Sequence, residues 1–197
     1  MGYPTIETGM TDNLIELLRP IRLLAMDVDG VLTDGSITYD DEGRELKRFH
    51  VADGLGMTAL LLADIQIAWI TGRSSAAVAR RANELRISHV MQGVRDKGAA
   101  LQALTADLNL CQDEVAYAGD DWNDLLAFEA SGVRFAVSNA VPQVKAAADV
   151  VTAAPGGTGA IREICDRLLE AKGLTADIVA AYLNALKETV ADVSVGQ

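Results

Sequence analysis

The sequence predicts an α/β fold built on a mostly parallel sheet. Short apolar runs of strand length alternate with segments of helical periodicity along most of the 197 residues, which indicates successive βαβ units. Half of the residues are apolar and only 5% are aromatic, as is typical of helices layered on a sheet. The first core strand, roughly residues 22–28, is an apolar run that ends in two aspartates and a glycine. Such a strand is typical of a parallel sheet that opens onto a polar site.

A helix and a hairpin flank this first core strand. Residues 11–19 begin with a capping threonine, carry leucines at helical spacing and stop at Pro20, which predicts a short amphipathic helix. After the strand, residues 35–39 and 44–49 are β-type runs around an acidic turn that ends in Gly43. A doubly wound fold would pass directly into a helix here, so the hairpin, about residues 35–49, is an insertion. Its role stays open between a lid, an oligomer contact and a surface decoration.

Strands and helices then alternate to the end of the chain. Ser74 and Ser75 are placed to cap one of the helices. The length is that of a single domain, residues 1–197, with a C-terminal helical extension at about residues 174–192. The predicted strands are 66–70, 87–91, 115–118, 133–137 and 150–152, and the predicted helices are 57–63, 76–85, 97–108, one that ends at 130, one after Pro142, 160–172 and one from Thr175.

Composition narrows the partners and the compartment. A net charge of −11 and a pI near 4.5 argue against a nucleic-acid or anionic-membrane partner. An anionic substrate would then need a bound cation and local basic residues. Cys111 and Cys165 form no metal-ligand spacing, which favours free thiols in a reducing compartment. The N-terminus has no basic segment leading an apolar core, and no apolar run reaches membrane-spanning length, so we expect a cytoplasmic protein.

Polar residues gather at the predicted carboxyl ends of several strands. Asp27, Thr71 and Asp120 each follow an apolar run, and Lys97 opens a helix just beyond another strand. Right-handed crossovers place these strand ends on one edge of the sheet, so the four side chains are expected to lie close together. In isolation each has a plainer interpretation, as a turn, a helix cap, a solvated lysine or an acidic helix start. Their compatible order at successive strand ends favours one shared site.

The chemistry that suits this set is metal-assisted phosphoryl transfer. Asp27 is the candidate nucleophile, and Asp29, in the following turn, is placed to protonate the leaving alkoxide and then to activate water. Mg²⁺ prefers oxygen ligands, and Asp27, Asp120 and the backbone carbonyl of Asp29 would hold it together with water and phosphate. Asp121 and Asp124 fit a surrounding layer that orients these ligands.

Negative charge develops on the phosphoryl oxygens during transfer, and positive charges or hydrogen-bond donors beside those oxygens stabilise it. Lys97 would supply a point charge, and Thr71 a hydroxyl with nearby backbone donors. Gly30, Gly72 and Arg73, in the turns that carry these groups, complete the predicted phosphate-binding set.

Four of these stretches resemble the four motifs of the haloacid dehalogenase superfamily, namely residues 27–31, 70–73, 96–97 and 119–124. The resemblance implies a Rossmann-like, three-layer core with no large cap domain and a magnesium-dependent phosphatase. It assigns Asp27 as the nucleophile and Asp29 as the acid/base. It also assigns Thr71 and Lys97 as phosphate ligands and Asp120 as a metal ligand. These roles agree with the interpretation drawn from the residues themselves.

The resemblance extends over roughly residues 21–169 and, within the superfamily, points to a family of sugar-acid phosphatases that act on an octulosonate 8-phosphate. It implies a homotetramer in which the hairpin of one subunit helps to close the site of a neighbour. Members of that family carry arginine where this chain has Ala52, Thr58 and Thr158. Arginine is the natural fork for a carboxylate. A nonulosonate 9-phosphate or another sugar phosphate therefore stands as an alternative substrate.

A protein of another class would use similar residues. A phospho-acceptor signalling domain also gathers acids, a threonine and a lysine around magnesium on a parallel sheet. There, however, the phosphorylated aspartate ends a middle strand and the acidic pair precedes it. Here the acidic pair follows the first core strand, and a second acidic cluster comes late in the chain. A catalytically weak subunit whose role is assembly is a third interpretation.

Overall fold

The computed structural model describes residues 10–194, with side chains described through residue 188, and contains eight α-helices and eight strands in that range. The helices are α1 (Asp12–Leu18), α2 (Val51–Leu62), α3 (Ala76–Glu84), α4 (Lys97–Asp107), α5 (Leu125–Glu129), α6 (Pro142–Ala147), α7 (Ala160–Ala171) and α8 (Thr175–Ser194). The strands are β1 (Leu23–Met26), β2 (Thr38–Tyr39), β3 (Glu45–Leu46), β4 (Gln66–Ile70), β5 (His89–Met91), β6 (Val115–Gly119), β7 (Val133–Ala136) and β8 (Val150–Val151).

Strand β1 lies inside a sheet of six parallel strands, in the order β5-β4-β1-β6-β7-β8. It pairs in register with β4 on one side and β6 on the other, so that Leu23 lies opposite both Gln66 and Val115. All four residues of β1 are buried, as expected of a continuous apolar strand covered on both faces. The predicted α/β fold with a parallel sheet is confirmed, and residues 10–194 contain no large cap domain.

Two groups of helices cover the sheet. Helix α7 contacts α1, α2 and α8, while α5 contacts both α4 and α6. Their apolar side chains join those of the strands in one buried core, which includes Leu60, Leu101, Phe128 and Ile164. Helix α8 begins at Thr175, where the sequence predicts it, and buries Ile178 against this core. No helix within residues 10–194 is both long enough and apolar enough to cross a lipid bilayer.

Helix α2 begins earlier than the sequence predicts. The prediction of a start at residue 57 is wrong, because Val51 already opens the helix and two glycines lie within its first half. A β-carbon at Gly56 would lie 3.1 Å from Cβ of Cys165 on α7, and one at Gly54 would lie 2.5 Å from Nη2 of Arg81. These glycines permit close helix packing rather than marking a turn, so tertiary contact overrides their low helix propensity.

The predicted hairpin is present but short. Strands β2 and β3 pair antiparallel over only two residues each. Ile37, Tyr39 and Leu46 are each more than half exposed.

The predicted serine cap of α3 is wrong: Ser75 occupies the N-cap position, yet its side chain makes no capping hydrogen bond. The backbone N–H of Ser75 instead donates to Oε1 of Gln92, at 2.6 Å, which ties this turn to the end of β5.

The parallel strands deliver the predicted polar residues to one edge of the sheet. Asp27 follows β1, and its backbone N–H donates to the carbonyl of Ala118 on β6 at 3.0 Å. Thr71 follows β4, and its N–H donates to the carbonyl of Met91 at 2.9 Å. Asp120 follows β6 directly. The sheet thus extends its hydrogen bonding to the residues that carry the polar groups, and this fixes their backbone.

Candidate active site

A cavity of about 440 Å³ lies at this edge of the sheet. Most of its lining belongs to the site predicted from the sequence, and the remaining lining residues come from the hairpin entry and the turn after β6. The lining residues from the predicted site are Asp27, Asp29, Thr71, Gly72, Arg73, Asp120 and Asp121, and the others are Gly35, Trp122 and Asn123.

Lys97 lies beneath the cavity, between two carboxylates. Its Nζ is 2.9 Å from Oδ1 of Asp27 and 2.7 Å from Oδ1 of Asp124, and its side chain is 1% exposed. Burial acts to lower the pKa of the ammonium group, but Asp124 and then Asp27 outweigh burial and leave that pKa raised. Lys97 is therefore a fixed positive charge at the first turn of α4, where Asp96 caps the helix by accepting from the N–H of Ala99 at 2.9 Å.

Asp124 holds the loop after β6 in place. Its Oδ1 accepts from the hydroxyl of Tyr117 at 2.9 Å. Its Oδ2 accepts from the backbone N–H groups of Asp120 at 2.9 Å and Asp121 at 3.3 Å. Because these donors and Lys97 all converge on it, the fully buried carboxylate is hydrogen-bonded to the backbone of the acidic loop and to the buried ammonium group.

Tyr117 is part of this network, although it is not among the site residues predicted from the sequence. Its ring is fully buried within β6 and packs edge-on against Phe128, with ring centroids 6.1 Å apart. A buried phenol needs a hydrogen-bond partner, and this one donates to Asp124. Burial raises the pKa of the phenol well above its ordinary value, so it acts here as a donor. A lone tyrosine inside an otherwise small and aliphatic strand was the available signal.

Three carboxylates lie close enough to share a cation. Oxygens of Asp27, Asp120 and Asp124 fall within 4.8 Å of one another. Oδ1 of Asp120 is buried and has no hydrogen-bond partner among the described residues. Burial, and next the charge of Asp124, raise the pKa of Asp27 to about 7 against the opposing effect of Lys97. The same two causes raise the pKa of Asp120 to about 8. An excess of crowded carboxylates with one orphaned oxygen is a donor set that suits a hard divalent cation.

Gly30 leaves room for this cluster. Its φ of +96° lies in the region that favours glycine, and a β-carbon there would lie 2.0 Å from Oδ2 of Asp120. Behind it, the N–H of Gly157 donates to the carbonyl of Val31 at 2.9 Å. A β-carbon at Gly156 would lie 1.8 Å from the carbonyl oxygen of Gly30. The turn after β8 therefore presses directly on the loop after β1 and supports it.

Asp29 faces the cavity from the following turn, in contact with the hairpin. Its Oδ1 accepts from Nζ of Lys47, and its Oδ2 lies 3.5 Å from Oγ1 of Thr71. Lys47 is 1% exposed and also pairs with Glu45 at 3.1 Å. Burial acts to lower the pKa of Lys47, but hydrogen bonds to the two carboxylates outweigh burial and raise it. Nothing in the sequence around Lys47 distinguishes it from an ordinary hairpin lysine.

The other predicted phosphate-binding residues lie in the turn after β4. Oγ1 of Thr71 accepts from the N–H of Arg73 at 3.3 Å. The guanidinium of Arg73 is tied to the hairpin, with Nη2 3.1 Å from Oε1 of Glu45 and 3.5 Å from the hydroxyl of Tyr39. Across the cavity, Asp121 accepts from the N–H of Trp122 at 2.7 Å and caps the turn there. The predicted site residues are thus gathered around one cavity.

This topology, with an acidic strand edge and a buried lysine beneath it, defines the class of haloacid dehalogenase-like hydrolases, whose family model matches residues 81–164. The 3-deoxy-D-manno-octulosonate 8-phosphate phosphatase of Yersinia pestis is 43% identical over 83% of this chain and 87% of its own. The enzyme of the same name from Escherichia coli K12 is 46% identical over 78% and 81% of the two chains.

Solved structures show the same relationship. The 3-deoxy-D-manno-octulosonate 8-phosphate phosphatase of Moraxella catarrhalis, in complex with magnesium, phosphate and a KDO molecule, superposes with a TM-score of 0.84 at 44% identity. The match covers 88% of this chain and 99% of that one. A haloacid dehalogenase superfamily hydrolase from Legionella pneumophila superposes with a TM-score of 0.86 at 45% identity, over 88% and 95% of the two chains. The chain belongs to the 3-deoxy-D-manno-octulosonate 8-phosphate phosphatase family and is a phosphoric monoester hydrolase.

Proposed function

We propose that this protein is a magnesium-dependent phosphatase that hydrolyses 3-deoxy-D-manno-octulosonate 8-phosphate through an aspartyl-phosphate intermediate. The observation that carries the proposal is the strand edge where Asp27 meets both a buried lysine and the orphaned carboxylate of Asp120. The relatives named above support the reaction and the substrate.

The donor set fits a magnesium ion. Asp27, Asp120 and the backbone carbonyl of Asp29 would hold it, and Asp124 and Asp121 would keep the loop of Asp120 in position. When bound, the ion supplies positive charge that neutralises the carboxylates and the phosphate oxygens. Because burial, and next the charge of Asp124, raise the pKa of Asp27, a nearby cation also favours its ionised, nucleophilic form.

In the first half of the reaction, a carboxylate oxygen of Asp27 attacks phosphorus and the bond from phosphorus to the sugar oxygen breaks. Asp29 gives its proton to that leaving oxygen. In the second half, Asp29 takes a proton from water, which attacks phosphorus and releases Asp27. Lys97, with its charge held toward Asp27, stabilises the transferring group throughout.

The remaining donors bind the phosphate. Thr71, Gly72 and Arg73 line the cavity, with the Thr71 hydroxyl as one donor. Gly30 lies against the carboxylate of Asp120, which also lines the cavity. These assignments follow from position around the cavity and from the chemistry of phosphate, which needs several convergent donors.

A second candidate is a phosphatase for a nonulosonate 9-phosphate or another sugar phosphate. Three positions favour it, since Ala52, Thr58 and Thr158 offer no guanidinium to a sugar carboxylate. The hydroxyl of Thr58 donates to the carbonyl of Gly54 at 3.0 Å. Both candidates hydrolyse phosphorylated sugars, and they differ only in which sugar they prefer.

Phosphate release across a panel of sugar phosphates, each with magnesium and with a chelator, tests both candidates. The panel holds the octulosonate 8-phosphate, nonulosonate 9-phosphates and sugar phosphates without a carboxylate. Preference for the first supports the proposal, and preference for another member supports the second candidate. Absence of release from every compound, together with a long-lived phosphoenzyme, would favour a phospho-acceptor domain. Absence of both would favour a role in assembly.

We also propose a cytoplasmic homotetramer whose subunits are each one domain. The exposed apolar side chains of the hairpin, Ile37, Tyr39 and Leu46, support an assembly in which hairpin tips contact neighbouring subunits. Size-exclusion chromatography with light scattering measures the mass of the assembly. A monomer at micromolar concentration would contradict the tetramer. Cell fractionation tests the compartment, and a single cooperative unfolding transition tests the one-domain organisation.

A further inference from the structure

We propose that Lys47 is a positioning residue for Asp29: the hairpin brings the ammonium group into the site of its own subunit and fixes the carboxylate that acts on the leaving group. The inference rests on the proposed function, because it gives a part in that reaction to a residue outside the four strand-end motifs.

The first support is the burial of Lys47. A lysine next to a two-residue surface strand would ordinarily extend into solvent, yet this side chain is 1% exposed. Removing an ammonium group from water is costly unless it is paired and hydrogen-bonded. Two carboxylates, Asp29 and Glu45, meet this requirement. The fold therefore directs this charge to the cavity.

The second support is the geometry of Asp29. Lys47 holds Oδ1, while Oδ2 lies 3.5 Å from the hydroxyl of Thr71. A carboxylate that is fixed at one oxygen cannot rotate freely, so its second oxygen keeps a constant direction toward the cavity. Proton transfer requires this alignment, because acid/base catalysis depends on hydrogen-bond reach to the reacting atom.

The third support is the link between the hairpin and the site. Glu45 pairs with Lys47 and also, at 3.1 Å, with Nη2 of Arg73. Strands β2 and β3 share only a two-residue ladder, so these side-chain contacts fix the base of the hairpin against the site. The base of the hairpin thus acts within its own subunit, while its exposed tip is free for a neighbour.

The test compares leaving groups in Lys47→Met. A sugar alkoxide needs a proton as it departs, whereas p-nitrophenolate is a stable anion and departs without one. We expect kcat/KM, which reports the steps up to departure of the leaving group, to fall roughly a hundredfold for the sugar phosphate and less than about threefold for p-nitrophenyl phosphate. Lys47→Arg should recover much of the loss. Arg44→Met, a charge removal at the exposed hairpin turn, is the matched control and should change neither rate.

Equal losses on the two substrates would overturn the proposal, as would an unchanged or faster sugar-phosphate reaction in Lys47→Met. If that variant does not fold, Glu45→Gln replaces it, since it weakens the same cluster and should give a smaller split in the same direction. Absence of a split there would also overturn the proposal. A wild-type protein that releases phosphate from neither substrate would instead refute the phosphatase function itself.

Discussion

The two walls of the cavity are held in different ways. On the sheet side, Asp27, Lys97 and Asp124 are almost completely buried. The contacts of Lys97 with the two carboxylates, and of the Tyr117 hydroxyl with Asp124, span 2.7 to 2.9 Å. On the hairpin side, the strands pair over two residues each, and exposed side chains such as Tyr39 surround the contacts with the site. The proposed nucleophile and its lysine thus belong to the buried edge of the sheet, whereas the hairpin groups that contact the site belong to a small attachment.

This difference suggests separate roles for the two walls: the sheet side carries out the reaction, and the hairpin side adjusts its rate and its selectivity for the sugar. Local opening of a protein starts where few apolar contacts hold the chain, so the hairpin can move while the sheet edge stays intact. Substitutions on the sheet side should therefore abolish turnover or stability, and those on the hairpin side should adjust rates. The following experiments test that ordering, from the largest expected effect to the smallest.

Asp27→Asn is expected to have the largest effect on activity. Asparagine keeps the size of the side chain but offers no nucleophilic carboxylate, so phosphate release should fall at least about 10⁴-fold. Circular dichroism should show an intact fold, because the replacement removes one charge from a crowded acidic cluster. Residual turnover above roughly one per cent of wild type would contradict the nucleophile assignment.

Lys97→Met is expected to have the largest effect on stability. It leaves Asp27 and Asp124 buried without their shared cation, and breaking such a buried pair costs about 3–5 kcal/mol of unfolding free energy. Tyr117→Phe is the matched control, since it removes only a hydroxyl from the same cluster and should cost about 1 kcal/mol. Denaturant unfolding without magnesium measures both values. Equal costs for the two variants would show that Lys97 is not the centre of the network.

Magnesium should stabilise the protein more at alkaline pH. Asp27 and Asp120 have folded pKa values of about 7 and about 8 against an ordinary value of 3.8, so without metal the folded state binds extra protons between these limits. Stability of the metal-free protein should therefore fall as pH rises from about 4 to about 8, because over this range the folded state binds more protons than the unfolded state. Because the cation competes with those protons, its gain in melting temperature should be larger at about pH 8.5 than at about pH 6.

Thermal unfolding in magnesium and in a chelator checks this expectation. Asp120→Asn should reduce the pH dependence of the metal-free protein, because it removes one of the two raised carboxyl groups. A magnesium gain that is equal at both pH values would mean that the cation binds away from these carboxylates.

Tyr39→Phe should have the smallest effect. It removes one long contact to Arg73, at 3.5 Å, on the exposed side of the hairpin. Exposed polar contacts contribute little, so kcat/KM for the sugar phosphate should change less than about threefold, and the melting temperature should not change measurably. A tenfold loss would show that Tyr39, and not only Lys47 and Glu45, helps to align the substrate.

The sequence was sufficient for the sheet edge because topology leaves little choice there. Parallel strands with right-handed crossovers must end on one side, so Asp27, Thr71 and Asp120 converge whatever the detailed packing. Lys47 and Tyr117 could not be predicted in the same way. The environment of each depends on a contact between distant segments, and a lysine on a polar hairpin or an aromatic residue in a strand has an ordinary structural explanation. The start of α2 was missed because its glycines serve close packing, Gly54 against Arg81 of α3 and Gly56 against Cys165 of α7.

The turn at Gly156 and Gly157 determines how much of the chain must be synthesised before the site can form. The loop that carries Asp29 and Gly30 is made early in synthesis, but the turn that supports it comes from near the far end of the chain. A nascent or truncated chain that stops before Gly156 therefore holds every proposed catalytic side chain without the support that fixes their loop. We expect such chains to release no phosphate.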